Sequence, residues 1–268
     1  MINIKDVAIS YQTKAIIENL SVSIPTGKVT TIIGPNGCGK STLLKAIARI
    51  LQVTTGAIYL DGKDIWNIPS IEVAKKMAIL PQSAEAPTGL TVKQLITYGR
   101  FPHQGAFGRL KKEDYDAVER AIEWTNLEAF ADRPIEALSG GQRQRAWIAM
   151  ALAQDTTTII LDEPTTYLDM TYQLDILELL RRFNQEDGKT IVMVLHDLNH
   201  ASRFSDHLIG MRDGDIVITG SPEEVMTSSW LKHIFNIDPI FTSCPFSGHP
   251  ICLAYGKNDP KLTEEKAR

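Results

Sequence analysis

Nine consecutive residues, GPNGCGKST at 34–42, have the composition of a loop that binds phosphate. They fit the pattern G-x-x-x-x-G-K-[ST] and lie between an apolar segment and a helical one, which is the context that the pattern requires. Glycines let backbone N–H groups wrap around phosphates, Lys40 supplies a cation for the β- and γ-oxygens, and Ser41 offers a hydroxyl to Mg²⁺. We expect the whole loop to contact phosphate: Gly34, Pro35, Asn36, Gly37, Cys38, Gly39, Lys40, Ser41 and Thr42.

Two adjacent carboxylates, Asp162 and Glu163, end the apolar segment TTTIILDEP at 156–164. At the end of a buried strand beside a phosphate site, Asp162 would hold the hydration shell of Mg²⁺ and Glu163 would polarise the attacking water. Adjacent carboxylates repel each other unless a cation is close, and Mg²⁺ would supply it. The pair therefore predicts hydrolysis of a phosphate anhydride.

Polar or aromatic side chains follow three further strand-like segments. Gln82 follows AILP and His196 follows TIVMVL, and we expect both strands to flank the strand that leads into the phosphate loop. Gln82 could then contact the metal or the water, and His196 the γ-phosphate, although a histidine after an apolar run is often a packed or capping residue. Tyr11 could stack on a purine ring, or it could be an ordinary half-buried strand aromatic.

A second candidate anion site begins the segment ALSGGQRQRAWIAMALAQ at 137–154. Free backbone N–H groups and the positive end of a helix dipole favour an anion at such a start. Of the two arginines that follow, one could brace the helix and the other could be solvated, so neither Arg143 nor Arg145 is assigned to phosphate. One chain would thus carry two sites that bind phosphate.

Composition excludes several classes of protein. The chain has 268 residues, 43% hydrophobic residues and a net charge of −4, which argues against a nucleic-acid partner. No apolar run approaches the ~18–20 residues of a spanning helix, and the N-terminus lacks a secretory pattern, so we expect a cytosolic chain. We expect Cys38, Cys244 and Cys252 to be free thiols.

The elements that must position these residues follow from hydrophobic periodicity. Alternation predicts an antiparallel pair of strands near the start, and apolar runs predict strands near 28–34, 57–62, 77–82, 156–164 and 189–197. Helical spacing occurs at 40–49 and 174–183, and Asp213-Gly214 predicts a hairpin turn within 207–220. We expect one α/β domain over 1–268: a catalytic core of 1–86 and 154–220, a helical subdomain inserted at 87–153, and an extension at 221–268 with short helices and a Pro-rich end.

The order of these motifs, with LSGGQ at 138–142, resembles that of the ATP-binding cassette ATPases over residues 2–220. The resemblance implies a P-loop NTPase fold, mostly parallel with an antiparallel β portion, and hydrolysis of ATP with Mg²⁺. It also implies that two copies pack head to tail, so that the signature of one copy closes over the ATP of the other. The residues contributed in trans would be Ser139, Gly140, Gly141, Gln142 and Asp169.

The segment GRFPHQ at 99–104 makes the resemblance more specific, because it points to one group within this family. Together with GPNGCGKST, LPQ and EPTTYLD, it is similar to the ATPase subunits of bacterial ferric-siderophore importers of the hydroxamate type, with haem and cobalamin importers nearby. This implies a peripheral protein at the cytoplasmic face that binds an integral-membrane permease, and indirectly an extracytoplasmic substrate-binding protein. The permease contacts would be Arg100, Phe101, Pro102 and His103. The alternative is a cassette ATPase outside transport, for example in Fe–S assembly.

Overall fold

The computed structural model describes residues 1–11, 14–84, 86–105 and 108–257, with the backbone alone described at Tyr11. The strands are β1 (Ile2–Tyr11), β2 (Lys14–Ile24), β3 (Val29–Ile33), β4 (Thr55–Leu60), β5 (Lys63–Asp64), β6 (Met77–Leu80), β7 (Thr158–Asp162), β8 (Thr190–Val194), β9 (His207–Arg212), β10 (Asp215–Gly220), β11 (Ile237–Ser243) and β12 (Pro250–Lys257). The α-helices are α1 (Lys40–Ile47), α2 (Ser70–Lys76), α3 (Val92–Tyr98), α4 (Lys112–Trp124), α5 (Gly140–Ala153), α6 (Met170–Asp187), α7 (Leu198–Phe204), α8 (Pro222–Val225) and α9 (Ser228–Phe235).

A six-stranded sheet in the order β10-β9-β3-β8-β7-β6 forms the centre of the chain. Its neighbours pair in parallel except for β10, which is antiparallel to β9. Every residue of β3, β7 and β8 is buried, as expected for parallel strands that are covered on both faces. The prediction of a mostly parallel sheet is confirmed.

The two faces of this sheet belong to different apolar clusters because successive side chains of a strand point to opposite sides. Ile160 contributes to the cluster that also contains α1 and the four-stranded antiparallel sheet β2-β1-β4-β5. Ile159 and Leu161 contribute to the cluster that contains α3, α4, α5 and α6. The antiparallel portion and the helical insertion are therefore present, on opposite sides of the sheet.

Helices α3, α4 and α5 lie within 87–153, where a helical insertion was predicted. Their apolar side chains share one continuous cluster with β6, β7 and β8. The division at residues 86, 153 and 220 therefore stays a prediction. No helix within the described ranges combines the length and apolar character needed to cross a bilayer.

Three expectations about the elements are wrong or incomplete. The strand before Gln82, β6, does not flank β3, since β7 and β8 lie between them; order along the chain does not fix the lateral order of parallel strands. Helices α2 and α7, each seven residues long, were not predicted. The C-terminal extension has the expected short helices, α8 and α9, but it then forms an antiparallel hairpin, β11–β12.

The turn between β9 and β10 connects the sheet to the phosphate loop. Asp213 and Gly214 have φ values of 50° and 90°, as in the type I′ turns that the sequence Asp-Gly favours. The Gly214 N–H donates to Cys38 O at 3.0 Å. A Cβ at Gly214 would lie 2.3 Å from Ile16 O, so the turn has no room for a side chain.

We predict that Gly214→Ala destabilises the fold far more than Gly62→Ala. Asp61-Gly62 is a similar turn, with φ values of 52° and 79°, but a Cβ at Gly62 meets nothing within 4 Å. Both variants carry a strained φ, worth about 1 kcal/mol, whereas only Gly214→Ala must also displace backbone, for a total of about 3 kcal/mol. Denaturant unfolding measures both, and equal losses would contradict the prediction.

Candidate active site

The loop between β3 and α1 holds Lys40 against its own backbone. The side chain is 5% exposed, and its Nζ donates to Gly34 O at 2.8 Å and to Pro35 O at 2.9 Å. Helix α1 starts at Gly39, where φ is 104°, without a side-chain cap. The first N–H groups of α1 and the lysine ammonium therefore lie in one loop, the arrangement that binds phosphate.

Asp162, at the end of β7, faces the start of α1. Its side chain is buried, and Oδ1 accepts a hydrogen bond from Ser41 Oγ at 3.0 Å. Burial raises the pKa of Asp162, and the adjacent Glu163 carboxylate raises it further, although the Ser41 hydroxyl acts in the opposite direction. A hydroxyl and a carboxylate in contact form the oxygen donor set that Mg²⁺ prefers, so the residues fit that ion.

Glu163 is held by side chains from three other places in the chain. Its Oε2 accepts hydrogen bonds from Gln82 Nε2 at 2.6 Å and from Thr166 Oγ1 at 3.0 Å. Its Oε1 lies 2.6 Å from His196 Nε2. The backbone of Glu163 has φ 53°, an uncommon conformation for this residue type. The carboxylate therefore has one defined orientation, as a general base requires.

A cleft of about 700 Å³ joins these groups. Its volume lies within the usual range of small-molecule sites. It is lined by Lys14, Ile16, Asn36, Gly37, Gly39, Lys40, Ser41, Thr42, Gln82, Glu163, Thr166, Tyr167 and His196. Most of the predicted catalytic and phosphate-binding residues thus face one space.

Sequence reasoning missed Lys14, Ile16, Thr166 and Tyr167 at this cleft. For Thr166 a signal existed, because a hydroxyl three residues after Glu163 can close a turn onto it. The predicted purine contact, Tyr11, pairs with Lys14 in the β1–β2 hairpin, but its side chain lies outside the described part of the chain. Its stacking role stays a prediction.

The signature residues do not face this cleft. Ser139 caps α5: its Oγ accepts from Gln142 N at 3.3 Å, and its N–H donates to Gln142 Oε1 at 3.1 Å. Ser139 and Gly140 are exposed, and neither they nor Gly141 and Gln142 are among the residues that line the cleft. The start of α5 is therefore a separate surface of the same molecule.

Asp169 lies beside that surface. It caps α6 by accepting a hydrogen bond from Tyr172 N at 3.1 Å. The Tyr172 ring lies against Gly141, where an added Cβ would come within 2.7 Å of the ring. The structure thus places Asp169 near the signature, through Tyr172, and not in the cleft.

Both arginines after the signature have internal partners. Arg143 donates to Leu138 O at 3.3 Å, which braces the start of α5. Arg145 pairs with Asp175 and lies over the Tyr172 ring. The expectation that one of the two is merely solvated is wrong, because Asp175 and Tyr172 on α6 face α5.

Arg100 is not a surface cation. It is 5% exposed, and its guanidinium donates to Asp114 Oδ1 at 2.9 Å and to Ala153 O at 2.7 Å. Burial would raise the pKa of Asp114, but hydrogen bonds from the Lys111 N–H and Arg100 lower it below its usual value. The prediction that Arg100 contacts a permease directly is therefore wrong. The residue is buried, and its side chain connects the end of α3 to α4 and α5.

The other residues of that segment lie nearer the surface. Phe101 is 57% exposed and its ring lies 5.2 Å from that of Tyr98, which is 38% exposed. Pro102 and His103 are half-buried, and His103 Nε2 lies 2.8 Å from Gln154 O. The exposed side chain of the segment is thus the aromatic ring of Phe101, whereas the guanidinium of Arg100 is buried.

The three cysteines are free and buried, as predicted. Burial raises the pKa of the Cys38 thiol, so the group stays protonated inside the phosphate loop. Its backbone, not its sulfur, connects the loop to the β9–β10 turn.

Known proteins of similar sequence and structure indicate the family to which a chain with this site belongs. A family described as ABC transporter matches residues 17–166. The chain is 54% identical to the iron(3+)-hydroxamate import ATP-binding protein of Bacillus subtilis, over 96% of this chain and 97% of that one. It is similar in structure to an inward-facing transporter assigned to the metal-chelate ABC type, with a TM-score of 0.80, 27% identity, and 94% and 97% of the two chains covered.

A third comparison concerns the nucleotide. The chain superposes on a dimeric ATP-binding cassette in a post-hydrolysis state with ADP and Pi, with a TM-score of 0.72 and 31% identity. The superposition covers 82% of this chain and 98% of that one.

We predict that Arg100→Leu lowers the free energy of unfolding by about 3–5 kcal/mol, because it leaves the Asp114 carboxylate buried without its cation. Phe101→Ala, at the adjacent exposed position, should cost about 1 kcal/mol or less. Urea denaturation measures both variants. Wild-type stability of Arg100→Leu would contradict the structural role assigned to it.

Proposed function

Because this chain belongs to the ABC transporter family, we propose that it hydrolyses ATP to energise bacterial uptake of a ferric hydroxamate siderophore through a separate permease. The observation that carries the ATPase assignment is the Glu163 carboxylate, fixed by Gln82, Thr166 and His196 at the edge of the phosphate cleft. The substrate class is supported by the similarity to the hydroxamate import protein, which extends over nearly the full length of both chains.

Binding of ATP begins with the loop at 34–42. The N–H groups at the start of α1 bind the phosphates, and Lys40 exchanges its two carbonyl partners for the β- and γ-oxygens. Tyr11 stacks on the purine. The residues that would hold Mg²⁺ are Ser41, Asp162 and Gln82, and the ion would neutralise phosphate charge.

Hydrolysis depends on the orientation of Glu163. Its carboxylate polarises the attacking water, and His196 contacts the γ-phosphate while its Nε2 keeps Glu163 in place. Gln82 connects the same carboxylate to the helical side of the molecule, because it lies between β6 and the segment that leads to α3. A change at the site can thus be transmitted through the Gln82 amide to the helical side of the molecule.

Two copies complete the site. ABC cassettes form dimers, as in the ADP-bound relative, and we propose that Ser139, Gly140, Gly141 and Gln142 of one copy close over the ATP of the other, with Asp169 at the same interface. Their position outside the cleft of their own chain supports this arrangement. Hydrolysis then removes the γ-phosphate that joins the copies.

The membrane partner is a permease that binds near Phe101. The exposed Tyr98–Phe101 pair offers an apolar contact, with Pro102 and His103 beside it, and Arg100 supports it from within. The chain would then lie peripherally at the cytoplasmic face and meet the substrate-binding protein only through the permease. Haem or cobalamin import, and a non-transport role such as Fe–S assembly, are the alternatives.

We predict that Glu163→Gln lowers the ATPase rate by about 10²–10⁴-fold, because the amide cannot accept the proton of the attacking water. ATP should then hold two copies together, and size-exclusion chromatography with ATP should show a lasting dimer. Lys40→Ala is the control: it should bind no ATP and stay monomeric. A Glu163→Gln chain that is only monomeric with ATP would contradict the proposed interface.

We predict that Phe101→Ala impairs transport more than hydrolysis. In a bacterial strain without its own hydroxamate-importer ATPase, the wild-type chain with its permease should restore growth on a ferric hydroxamate as the single iron source, and Phe101→Ala should not. The isolated variant should keep its ATPase rate, because Phe101 is not among the residues that line the cleft. Growth restored only on haem would favour the alternative of haem import. Co-purification with soluble partners instead of a permease would favour a non-transport role.

A further inference from the structure

The terminal hairpin is hydrogen-bonded to α7 by two side chains. Asn199 Oδ1 accepts from Cys252 N at 2.7 Å, and Asn199 Nδ2 donates to Cys252 O at 3.1 Å. Ser202 Oγ donates to Pro250 O at 2.6 Å. The Asn199 amide thus bonds to both backbone groups of one β12 residue, as a neighbouring strand would.

Helix α7 begins two residues after His196, the residue that contacts Glu163. The connection from β8 to α7 consists of Leu195, His196 and Asp197, and Asp197 caps the helix by accepting a hydrogen bond from His200 N at 2.8 Å. With Leu195 buried, the position of His196 is set by β8 on one side and by α7 on the other. A shift of α7 would therefore move His196.

Helix α7 needs tertiary contacts to keep its place. It has seven residues, too few for a helix that is stable by itself. Ala201 and Phe204 pack into the core, which fixes one side of the helix. Its other side, which carries Asn199 and Ser202, bonds to β12.

A cleft of about 340 Å³ lies between the start of α7 and the hairpin. One wall contains His196, Asp197, Leu198 and Asn199, and the other contains Phe235, Ile237, Cys252 and Tyr255. Because this space is open, close packing does not join the two walls there. The Asn199 bonds to Cys252 therefore carry much of the connection near His196.

We infer that Asn199 is a positioning residue for hydrolysis: by fixing α7 to β12, it keeps His196 in contact with the Glu163 carboxylate. This gives the hairpin at 237–257, which no motif of the sequence explains, a role in the reaction. The inference rests on the proposed ATPase function.

The expected effect of Asn199→Ala is a loss in kcat of about tenfold with little change in the KM for ATP, since two hydrogen bonds to the hairpin are lost while the phosphate loop is intact. Asn199→Asp keeps the acceptor for Cys252 N but turns a carboxylate oxygen towards Cys252 O, which repels it, so this variant should also lower kcat. It also tests the inference if Asn199→Ala does not fold.

Glu223→Gln is the matched control. His249 Nδ1 lies 2.5 Å from Glu223 Oε1, so this variant loosens the same hairpin from α8 instead of from α7. It should keep the wild-type kcat. An equal loss of kcat in Glu223→Gln would overturn the inference and show that the hairpin acts only through general stability.

A double-variant cycle tests the path through His196. If Asn199 acts by positioning His196, then Asn199→Ala should lower kcat no further in a His196→Ala background. Full additivity of the two changes, or wild-type kcat in both Asn199 variants, would overturn the inference. Absence of ATP hydrolysis by the wild-type chain would instead refute the proposed function, so the two failures are distinguishable.

Discussion

The carboxylate of Glu163 is the group on which the rest of the site depends, because it bonds at once to Gln82, Thr166 and His196. These bonds require that β6, β7 and β8 be lateral neighbours, with their carboxyl ends at one edge of the sheet. Parallel strands provide that edge, and their burial requires cover on both faces: α3, α4, α5 and α6 cover one face, and α1 with the antiparallel sheet covers the other. The architecture thus follows from the need to bring distant polar groups to one carboxylate.

That arrangement opposes several local preferences. Asp162 and Glu163 are adjacent carboxylates, and burial already raises the pKa of Asp162, so the pair is suited to a site that receives a cation. Glu163 also has a positive φ, which the surrounding hydrogen bonds maintain. Conflicts of this kind between local preference and global fold are expected at functional sites.

Sequence reasoning identified the phosphate loop, the carboxylate pair and both strand-end side chains, because each depends on residue types at short spacing. It placed β6 beside β3 wrongly, because the pairing of parallel strands is decided by long-range packing. It also predicted that Arg100 contacts a permease, although its guanidinium bonds to the buried Asp114 in the next α-helix of the chain. The β11–β12 hairpin was missed because its residues lack clear alternation and include Pro239 and Pro250, with Pro250 at the first position of its strand, where proline is tolerated.

The separation of the phosphate loop from the start of α5 has a physical consequence for the proposed dimer. In the chain itself, the N–H and hydroxyl of Ser139 are bonded to Gln142, and Tyr172 holds Gly141 from the α6 side. The start of α5 is therefore an exposed helix end whose capping groups are bonded within the chain. A preformed surface loses little entropy when it binds, so in the proposed dimer a triphosphate presented by a second copy would be bound without rearrangement of this helix. Loss of the γ-phosphate would remove that contact, so the proposed dimer would be sensitive to hydrolysis.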